Sequence, residues 1–145
     1  MRDSTRGASD RRKRLSMAHV LIIEDNLDFV DFVQAVLDLN GHRVTSTASL
    51  RDGIRLSNEM PRPDLVLLDL DLPDGNGLDF FDQVAANVPV LAMTASTDAD
   101  LARHLQALGA RYVIKPLAAR ALLDLVNDSL KKGETHDSPA YPDRR

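Results

Sequence analysis

At 145 residues the chain has the length of one globular domain, with little left over for a second. Its hydrophobic share of 43% supports an aliphatic core, and the absence of cysteine excludes disulfides and thiolate metal sites. The net charge of −4 divides into +4 for residues 1–16 and −8 for the rest, and an acidic body argues against nucleic-acid binding by the domain. No apolar run could cross a bilayer and no signal peptide begins the chain, so we expect a cytoplasmic location without membrane contact.

Polar segments flank the predicted domain, which we place at residues 17–132. Residues 1–16 lack apolar periodicity and are predicted to be a disordered basic tail. This segment either contacts nucleic acid or an acidic partner, or it precedes the true start, because Met17 begins a clean strand. Residues 133–145 are predicted to be a second polar tail.

In the first half of the domain, the apolar spacing predicts a strand, a helix, a strand and a helix. Val20–Ile23 is a continuous apolar run, as expected of a strand buried on both faces. The next apolar residues fall at i, i+3, i+4, i+7 and i+8 on one helical face: Phe29, Phe32, Val33, Val36 and Leu37. Arg43–Thr47 is a β-branched stretch. Ser49 with Asp52 then predicts a capping box, and Pro61 and Pro63 end that helix.

The second half continues the alternation. The predicted strands three to five are Leu65–Leu68, Val88–Met93 and Tyr112–Lys115. After the turn at residues 73–77, the third helix is predicted to carry Leu78, Phe81 and Ala85. The fourth helix, capped by Thr97 with Asp100 and ended by Gly109, has an apolar face of Leu101, His104, Leu105 and Leu108. The fifth runs from about Leu117 to Lys131, with inward-facing Ala118, Ala121, Leu122 and Leu125.

Five strands that alternate with five helices predict an α/β fold with a parallel sheet covered on both faces. Ionisable or hydroxyl side chains follow four of these strands. They are Glu24 and Asp25 after the first, Asp69 after the third, Thr94 after the fourth and Lys115 at the end of the fifth. Ligands bind beyond the carboxyl ends of parallel strands, where the strand order reverses, so we expect these side chains to form one site.

One lysine cannot neutralise the three acids of this predicted site. Two carboxylates about 5 Å apart repel by roughly 3 kcal/mol at an effective dielectric of 20. The cluster should therefore hold a proton or a hard cation, and oxygen ligands without Cys or His favour Mg²⁺, with Mn²⁺ as the alternative. A carboxylate beside such a cation and a lysine can accept a phosphoryl group. Asp69 is the candidate acceptor because its strand is predicted to lie in the middle of the sheet.

Further residues match a known family in order and spacing. The matching set is Glu24-Asp25-Asn26, Asp69, Leu72–Gly77, Thr94-Ala95, Gly109-Ala110, Tyr112 and Lys115-Pro116. Together they resemble the response-regulator receiver domain of two-component signalling systems, over about residues 18–131. The resemblance implies a flavodoxin-like, doubly wound five-stranded parallel sheet of order 2-1-3-4-5, with five helices.

The resemblance also implies a role for each acid. Asp69 would be the phosphoryl acceptor. Mg²⁺ would be bound directly by Asp25 and Asp69, through water by Glu24, and by the backbone carbonyl of Asp71.

The remaining site residues would bind the phosphoryl group or change conformation in response to it. Thr94 and Lys115 would bind its oxygens, and Tyr112 would be a switch residue whose rotamer follows the position of Thr94. The resemblance further implies that the Lys115–Pro116 peptide bond is often cis, a form that only an X-Pro bond adopts at low cost.

The implied function is a phosphorylation switch and not a turnover enzyme. A histidine kinase or phosphotransfer protein would donate the phosphoryl group, and a downstream protein would bind the face formed by helix four, strand five and helix five. The residues after Lys132 are too few for an effector domain, so we expect a stand-alone receiver that acts by protein contacts or phosphorelay. If the chain is a fragment, its effector lies outside this sequence.

Three alternatives stay open at this point. Asp69-Leu-Asp71 also matches the start of haloacid-dehalogenase-type phosphatases, but those carry Thr or Val where this chain has Pro73. They also need a later acidic pair, whereas Asp124 and Asp128 fall deep in the last helix. A receiver that binds a partner without being phosphorylated is a second alternative, although no site residue is missing. The third alternative is that these acids only cap the N-termini of helices.

Overall fold

The computed structural model describes residues 17–84 and 87–134, which form alternating strands and helices. The strands are β1 (His19–Ile23), β2 (Arg43–Thr47), β3 (Leu65–Asp69), β4 (Val90–Thr94) and β5 (Arg111–Ile114). The helices are α1 (Leu27–Leu39), α2 (Leu50–Asn58), α3 (Phe80–Gln83), α4 (Ala99–Ala107) and α5 (Ala119–Glu134). A short antiparallel hairpin, Asp71–Leu72 with Gly75–Asn76, and a 3₁₀ turn, Gly77–Asp79, connect β3 to α3.

The five strands form one parallel sheet of order β2-β1-β3-β4-β5, which confirms the predicted fold class and strand order. All five residues of β3 are buried, as expected of a central strand in a sheet covered on both faces. The order reverses between β1 and β3, because the chain first adds β2 on one side of β1 and then β3 on the other. Asp69 ends the central strand beside this reversal.

Two apolar cores lie on opposite faces of the sheet. The α1/α5 core joins alternate strand residues to the buried faces of α1 and α5: Val30, Val33, Leu37, Leu122, Val126 and Leu130. The α2–α4 core contains the other strand residues with Leu50, Phe80 and Leu105 from the three remaining helices. No helix in the described part of the chain is both long and apolar enough to span a membrane.

The third helix begins later than predicted. Leu78 and Phe81 both pack half-buried against the α2–α4 core, but Leu78 lies in the 3₁₀ turn before α3. The buried aromatic residue of α3 is its first residue, Phe80, which is 1% exposed. Ala85, predicted in the same helix, lies outside the described residues.

Some element boundaries also differ from the predicted ones. Helix α4 is capped by Asp98, whose side chain accepts the backbone N–H of Asp100, and not by Thr97. Ala118 and Ala121 are exposed, so the predicted inward face of the last helix is wrong at these two positions. Strand β4 begins at Val90 instead of Val88, and α5 continues to Glu134, into the predicted C-terminal tail. The predicted tail at residues 1–16 and residues 135–145 lie outside the described residues.

Helix α2 is capped by two separate segments. Ser49 accepts the N–H of Asp52 at 3.1 Å, which confirms the predicted capping box serine. Asp74, in the hairpin after β3, accepts the N–H of Leu50 at 2.8 Å and that of Arg51 at 3.2 Å. The first backbone donors of a helix have no partner within the helix, so Asp74 both stabilises α2 and fixes the hairpin next to Asp69.

Replacing Asp74 by alanine should lower the melting temperature in a pH-dependent way. The hydrogen bond from the Leu50 amide, assisted by that of Arg51, holds the pKa of Asp74 below its usual range. Because the pKa is lowered in the folded state, the stabilisation is complete at neutral pH and is lost as the pH falls through the folded-state pKa. The melting-temperature difference between wild type and Asp74→Ala should therefore shrink on acidification. Asp79→Ala is the control, since Asp79 makes no side-chain capping bond; an equal difference at every pH would contradict a role for the carboxylate.

Candidate phosphoryl-acceptor site

The carboxyl ends of the strands bring the predicted site residues to one edge of the sheet. Backbone hydrogen bonds hold this edge in register, from Glu24 N to Thr47 O at 2.9 Å, from Leu70 N to Met93 O at 2.9 Å, and from Lys115 N to Thr94 O at 2.8 Å. The strand pairing therefore extends up to the residues that carry the chemistry.

The ammonium group of Lys115 lies between two buried acids. Its Nζ is 2.6 Å from Glu24 Oε1 and 3.7 Å from Asp69 Oδ1. The Glu24 and Asp69 side chains are 1% and 5% exposed, and that of Lys115 is 22% exposed. The ammonium thus donates a short charge-assisted bond to Glu24 and faces Asp69 at ion-pair distance without a direct hydrogen bond.

Both oxygens of the Glu24 carboxylate accept hydrogen bonds from the protein. Oε1 accepts from Lys115, and Oε2 accepts from the backbone N–H of Asn26 at 3.1 Å. Burial raises the pKa of Glu24, the bond from Lys115 partly offsets this, and the neighbouring Asp69 carboxyl raises it further. These two bonds leave further lone pairs of the carboxylate open to a metal ion or to water.

The acids of this site fit a hard divalent cation. One carboxylate oxygen from each of Glu24, Asp25 and Asp69 lies within 4.8 Å of the others, and Asp25 is exposed to solvent. With the partial neutralisation by Lys115 included, these groups keep a net negative charge. An oxygen-only set of this kind suits Mg²⁺, which binds through few carboxylates and retains water.

The hairpin after β3 places Asp71 beside Asp69. The backbone N–H of Asp71 donates to Asp69 Oδ1 at 3.0 Å, and the Asp71 side chain is exposed, as expected if only its backbone faces the site. Gly77 closes this segment, and its N–H bonds to Leu70 O at 3.2 Å. A Cβ on Gly77 would lie 2.6 Å from the Leu70 Cα, so a side chain there would force the segment away from Asp69.

The predicted switch residues, Thr94 and Tyr112, lie on the face of the sheet that carries the α2–α4 core. Thr94 is 1% exposed and follows Ala92, a member of the α2–α4 core, by two residues. Tyr112 pairs with Ala92 across the strands and packs half-buried against the same core. Thr94 and Tyr112 therefore share one face, whereas alternation directs Glu24, Asp69 and Lys115 toward the α1/α5 side.

Two residues at the site were not assigned a site role from the sequence. Asn26 caps α1 by accepting the N–H of Phe29 at 3.2 Å while its own N–H orients Glu24. An Asn directly before a helical apolar pattern is itself a capping signal, so this role could have been predicted. Phe29, predicted only as part of the apolar face of α1, has its ring centroid 4.6 Å from Lys115 Nζ. The Lys115–Pro116 bond is cis, as the resemblance implied.

Comparison with known proteins identifies the family. A sequence model described as the response regulator receiver domain matches residues 20–127. The chain belongs to the response regulator receiver domain family. This receiver domain is 33% identical over 121 residues to Response regulator SaeR of Staphylococcus aureus (strain USA300). That match covers 80% of the receiver domain chain and 52% of SaeR, so the chain spans about half the length of the curated relatives it matches.

Solved structures agree with this assignment. The signal receiver domain of a putative Luxo repressor protein from Vibrio parahaemolyticus is 30% identical, with a TM-score of 0.75, and the match covers 81% of this chain and 93% of that one. A CheY-like response regulator receiver domain protein from Methanospirillum hungatei JF-1 shares the fold, with a TM-score of 0.75 at 24% identity over 82% of this chain and 98% of that one. The chain thus shares its fold with these receiver domains.

The acidic residues required by the phosphatase alternative do not join this site. Asp128 on α5 forms an ion pair with Arg111, the first residue of β5, at the edge of the sheet opposite the carboxylate cluster. Asp124 is an exposed residue on the same helix. The cluster found among the described residues consists of the three acids that the receiver resemblance requires.

Proposed function

We propose that this receiver domain accepts a phosphoryl group on Asp69 from the phosphohistidine of a histidine kinase or phosphotransfer protein. The observation that carries the proposal is the Lys115 ammonium 3.7 Å from the Asp69 carboxylate, inside a cluster of three acids. The proposed role is that of a switch and not of a turnover enzyme. The predicted cytoplasmic location, stand-alone action, and lack of nucleic-acid and membrane contact stay predictions.

The transfer is a displacement at phosphorus. An oxygen of the Asp69 carboxylate attacks the phosphorus atom, an O–P bond forms, and the P–N bond to the imidazole breaks. The imidazole nitrogen keeps the bonding electron pair and takes up a proton as it leaves. Burial of Asp69 limits water around the acyl phosphate, and the Asp71 N–H fixes one Asp69 oxygen during the attack.

Positive charge near the transferring group comes from two sources in this proposal. Lys115 provides one charge from the chain itself. Mg²⁺ or Mn²⁺, held by Asp25, Asp69, the Asp71 carbonyl and through water by Glu24, would supply the rest and polarise the phosphoryl oxygens.

Phosphoramidate can test the acceptor role without a kinase. Incubation with phosphoramidate and Mg²⁺ should add a single phosphoryl mass to the intact chain, and mild base should remove it, as expected of an acyl phosphate. A mass gain that resists base, or no gain at all, would count against phosphorylation of a carboxylate.

The signal would leave the site through Thr94. A series of side-chain oxygens leads from Thr94 to α4, each accepting the N–H two residues later: Thr94 Oγ1 from Ser96, Ser96 Oγ from Asp98, and Asp98 Oδ1 from Asp100. A phosphoryl group adds about −1.5 to −2 charges and new acceptors, so the Thr94 hydroxyl can donate to it. Movement of Thr94 would then shift the start of α4 and the space beside Tyr112, which would remodel the α4–β5–α5 face for a downstream protein.

Thr94→Ala should separate phosphorylation from this response. We expect the variant to accept the phosphoryl group with modest impairment, because Asp69 and Lys115 are unchanged. Amide NMR shifts on adding beryllofluoride, a phosphoryl mimic, should be large at Tyr112 and α4 in the wild type and small in Thr94→Ala. Thr94→Ser keeps the hydroxyl and is the control. Equal shifts in wild type and Thr94→Ala would mean that this coupling does not operate.

A further inference from the structure

The described segment from Glu24 to Phe29 surrounds the Lys115 ammonium on two sides. Glu24 accepts its hydrogen bond at 2.6 Å, and the ring centroid of Phe29 lies 4.6 Å from Nζ. Asn26 connects the two groups, since its N–H orients the Glu24 carboxylate and its side chain caps the helix turn that carries Phe29. One short stretch of sequence therefore presents both an anionic and an aromatic partner to the same cation.

The Phe29 ring is well placed to attract this ammonium. A cation within about 6 Å of an aromatic ring centroid is drawn to the ring face, and more strongly where water is scarce. Phe29 is half-buried against the α1/α5 core, and its ring lies 5.9 Å from that of Phe32, which limits its movement. With the Lys115 side chain 22% exposed, water competes only partly for the ammonium.

We propose that Phe29 is a positioning residue for phosphoryl transfer, because its ring keeps the Lys115 ammonium between Glu24 and Asp69. In the present arrangement Lys115 is bonded to Glu24, and it must shift toward Asp69 to meet phosphoryl oxygens. A hydrogen bond fixes an ammonium in one direction, whereas a ring face attracts it over the breadth of the ring. Phe29 thus lets Lys115 exchange one anionic partner for the other without leaving the site. This role rests on the proposed phosphorylation of Asp69.

The variants that test this role remove the aromatic ring of Phe29 or replace it with a larger one. Phe29→Leu should slow phosphorylation by phosphoramidate by about fivefold, whereas Phe29→Trp, with a stronger ring face, should stay within about twofold of wild type. Phe81→Leu removes a half-buried ring from the α2–α4 core, on the other face of the sheet, and is the matched control. Thermal melts in parallel report whether each variant folds.

A graded change at the ring separates electrostatics from packing. Phenylalanine analogues of rising fluorine content, incorporated at position 29, weaken the negative potential of the ring face with little change in shape. The phosphorylation rate should fall stepwise along this series. The side-chain NMR signals of Lys115 next to Nζ should show an upfield ring-current shift that disappears in Phe29→Leu and persists in Phe29→Trp.

The results have distinct meanings. Equal phosphorylation rates across the fluorinated series overturn the positioning role. The role is also overturned if the Lys115 side-chain NMR shifts in Phe29→Leu equal those of the wild type. If no protein in the set takes up phosphate, the proposed function fails, while the Lys115 shifts still decide whether Phe29 holds the ammonium.

Discussion

Asp69→Asn should take up no phosphoryl group under conditions in which the wild type takes up one per chain. The replacement removes the carboxylate oxygen that would attack phosphorus, and an amide is not a nucleophile of comparable strength. The fold should survive, since the Asn side chain can still accept the Asp71 N–H that now bonds to Asp69 Oδ1 at 3.0 Å. Intact-mass measurement after phosphoramidate treatment gives the result directly.

A neighbouring acid provides the control for this experiment. Asp71→Asn changes an exposed side chain two residues away and should still phosphorylate, because the proposed metal contact of Asp71 is its backbone carbonyl. Stoichiometric uptake by Asp69→Asn would show that the acceptor is elsewhere. If Asp71→Asn also took up no phosphoryl group, the result would instead indicate that the substitutions had disturbed the hairpin after β3.

Most of the fold and the site follows from local patterns in the sequence. The uninterrupted apolar runs of β1 and β3 mark strands with both faces covered, and the residues just after them are confined to one edge of a parallel sheet. For this reason the sequence alone predicts that Glu24, Asp25 and Asp69 lie close together, as they do. The meeting of Lys115 with Glu24, 91 positions apart, follows from the same rule.

Two of the predictions that failed concern the start of a helix. The third helix was predicted to carry Leu78, which instead lies in the 3₁₀ turn before α3. Similarly, Thr97 and Asp98 are both good capping residues, and the choice depends on the bond from Asp100 that the tertiary structure permits. Sequence patterns predict the existence of a helix or strand more reliably than they predict its first turn.

Two contacts between distant segments could not be predicted from spacing. Asp74 looks like an ordinary turn residue, yet it caps α2, which lies 24 positions earlier. Phe29 looks like one of several core residues of α1, yet its ring contacts the ammonium of Lys115. In both cases the role depends on which side-chain atom meets which backbone or charge, and that is set by packing and not by periodicity.

Magnesium should raise the melting temperature of the wild-type receiver domain, and Asp25→Ala should abolish most of this increase. A ligand that binds only the folded state stabilises it by about 1.4 kcal/mol at ten times its dissociation constant, which corresponds to roughly 5 °C for a domain of this size. The physical basis is the cluster in which oxygens of Glu24, Asp25 and Asp69 lie within 4.8 Å of one another. These groups attract a cation in the folded chain, whereas in the unfolded chain Asp69 is no longer held beside Glu24 and Asp25.

Without bound metal, the same variant should have the opposite effect on the melting temperature. Without magnesium, Asp25→Ala removes a carboxylate that repels Glu24 and Asp69, so its melting temperature should lie at or above that of wild type. Asp31, an exposed acid on α1, supplies the matched control, since Asp31→Ala removes the same charge outside the cluster and should respond to magnesium like the wild type. A wild-type melting temperature that stays constant through a magnesium titration would contradict the metal site. An Asp25→Ala titration identical to that of the wild type would instead remove Asp25 from the ligands, and the negative charge left on Glu24 and Asp69 would have to be balanced in another way.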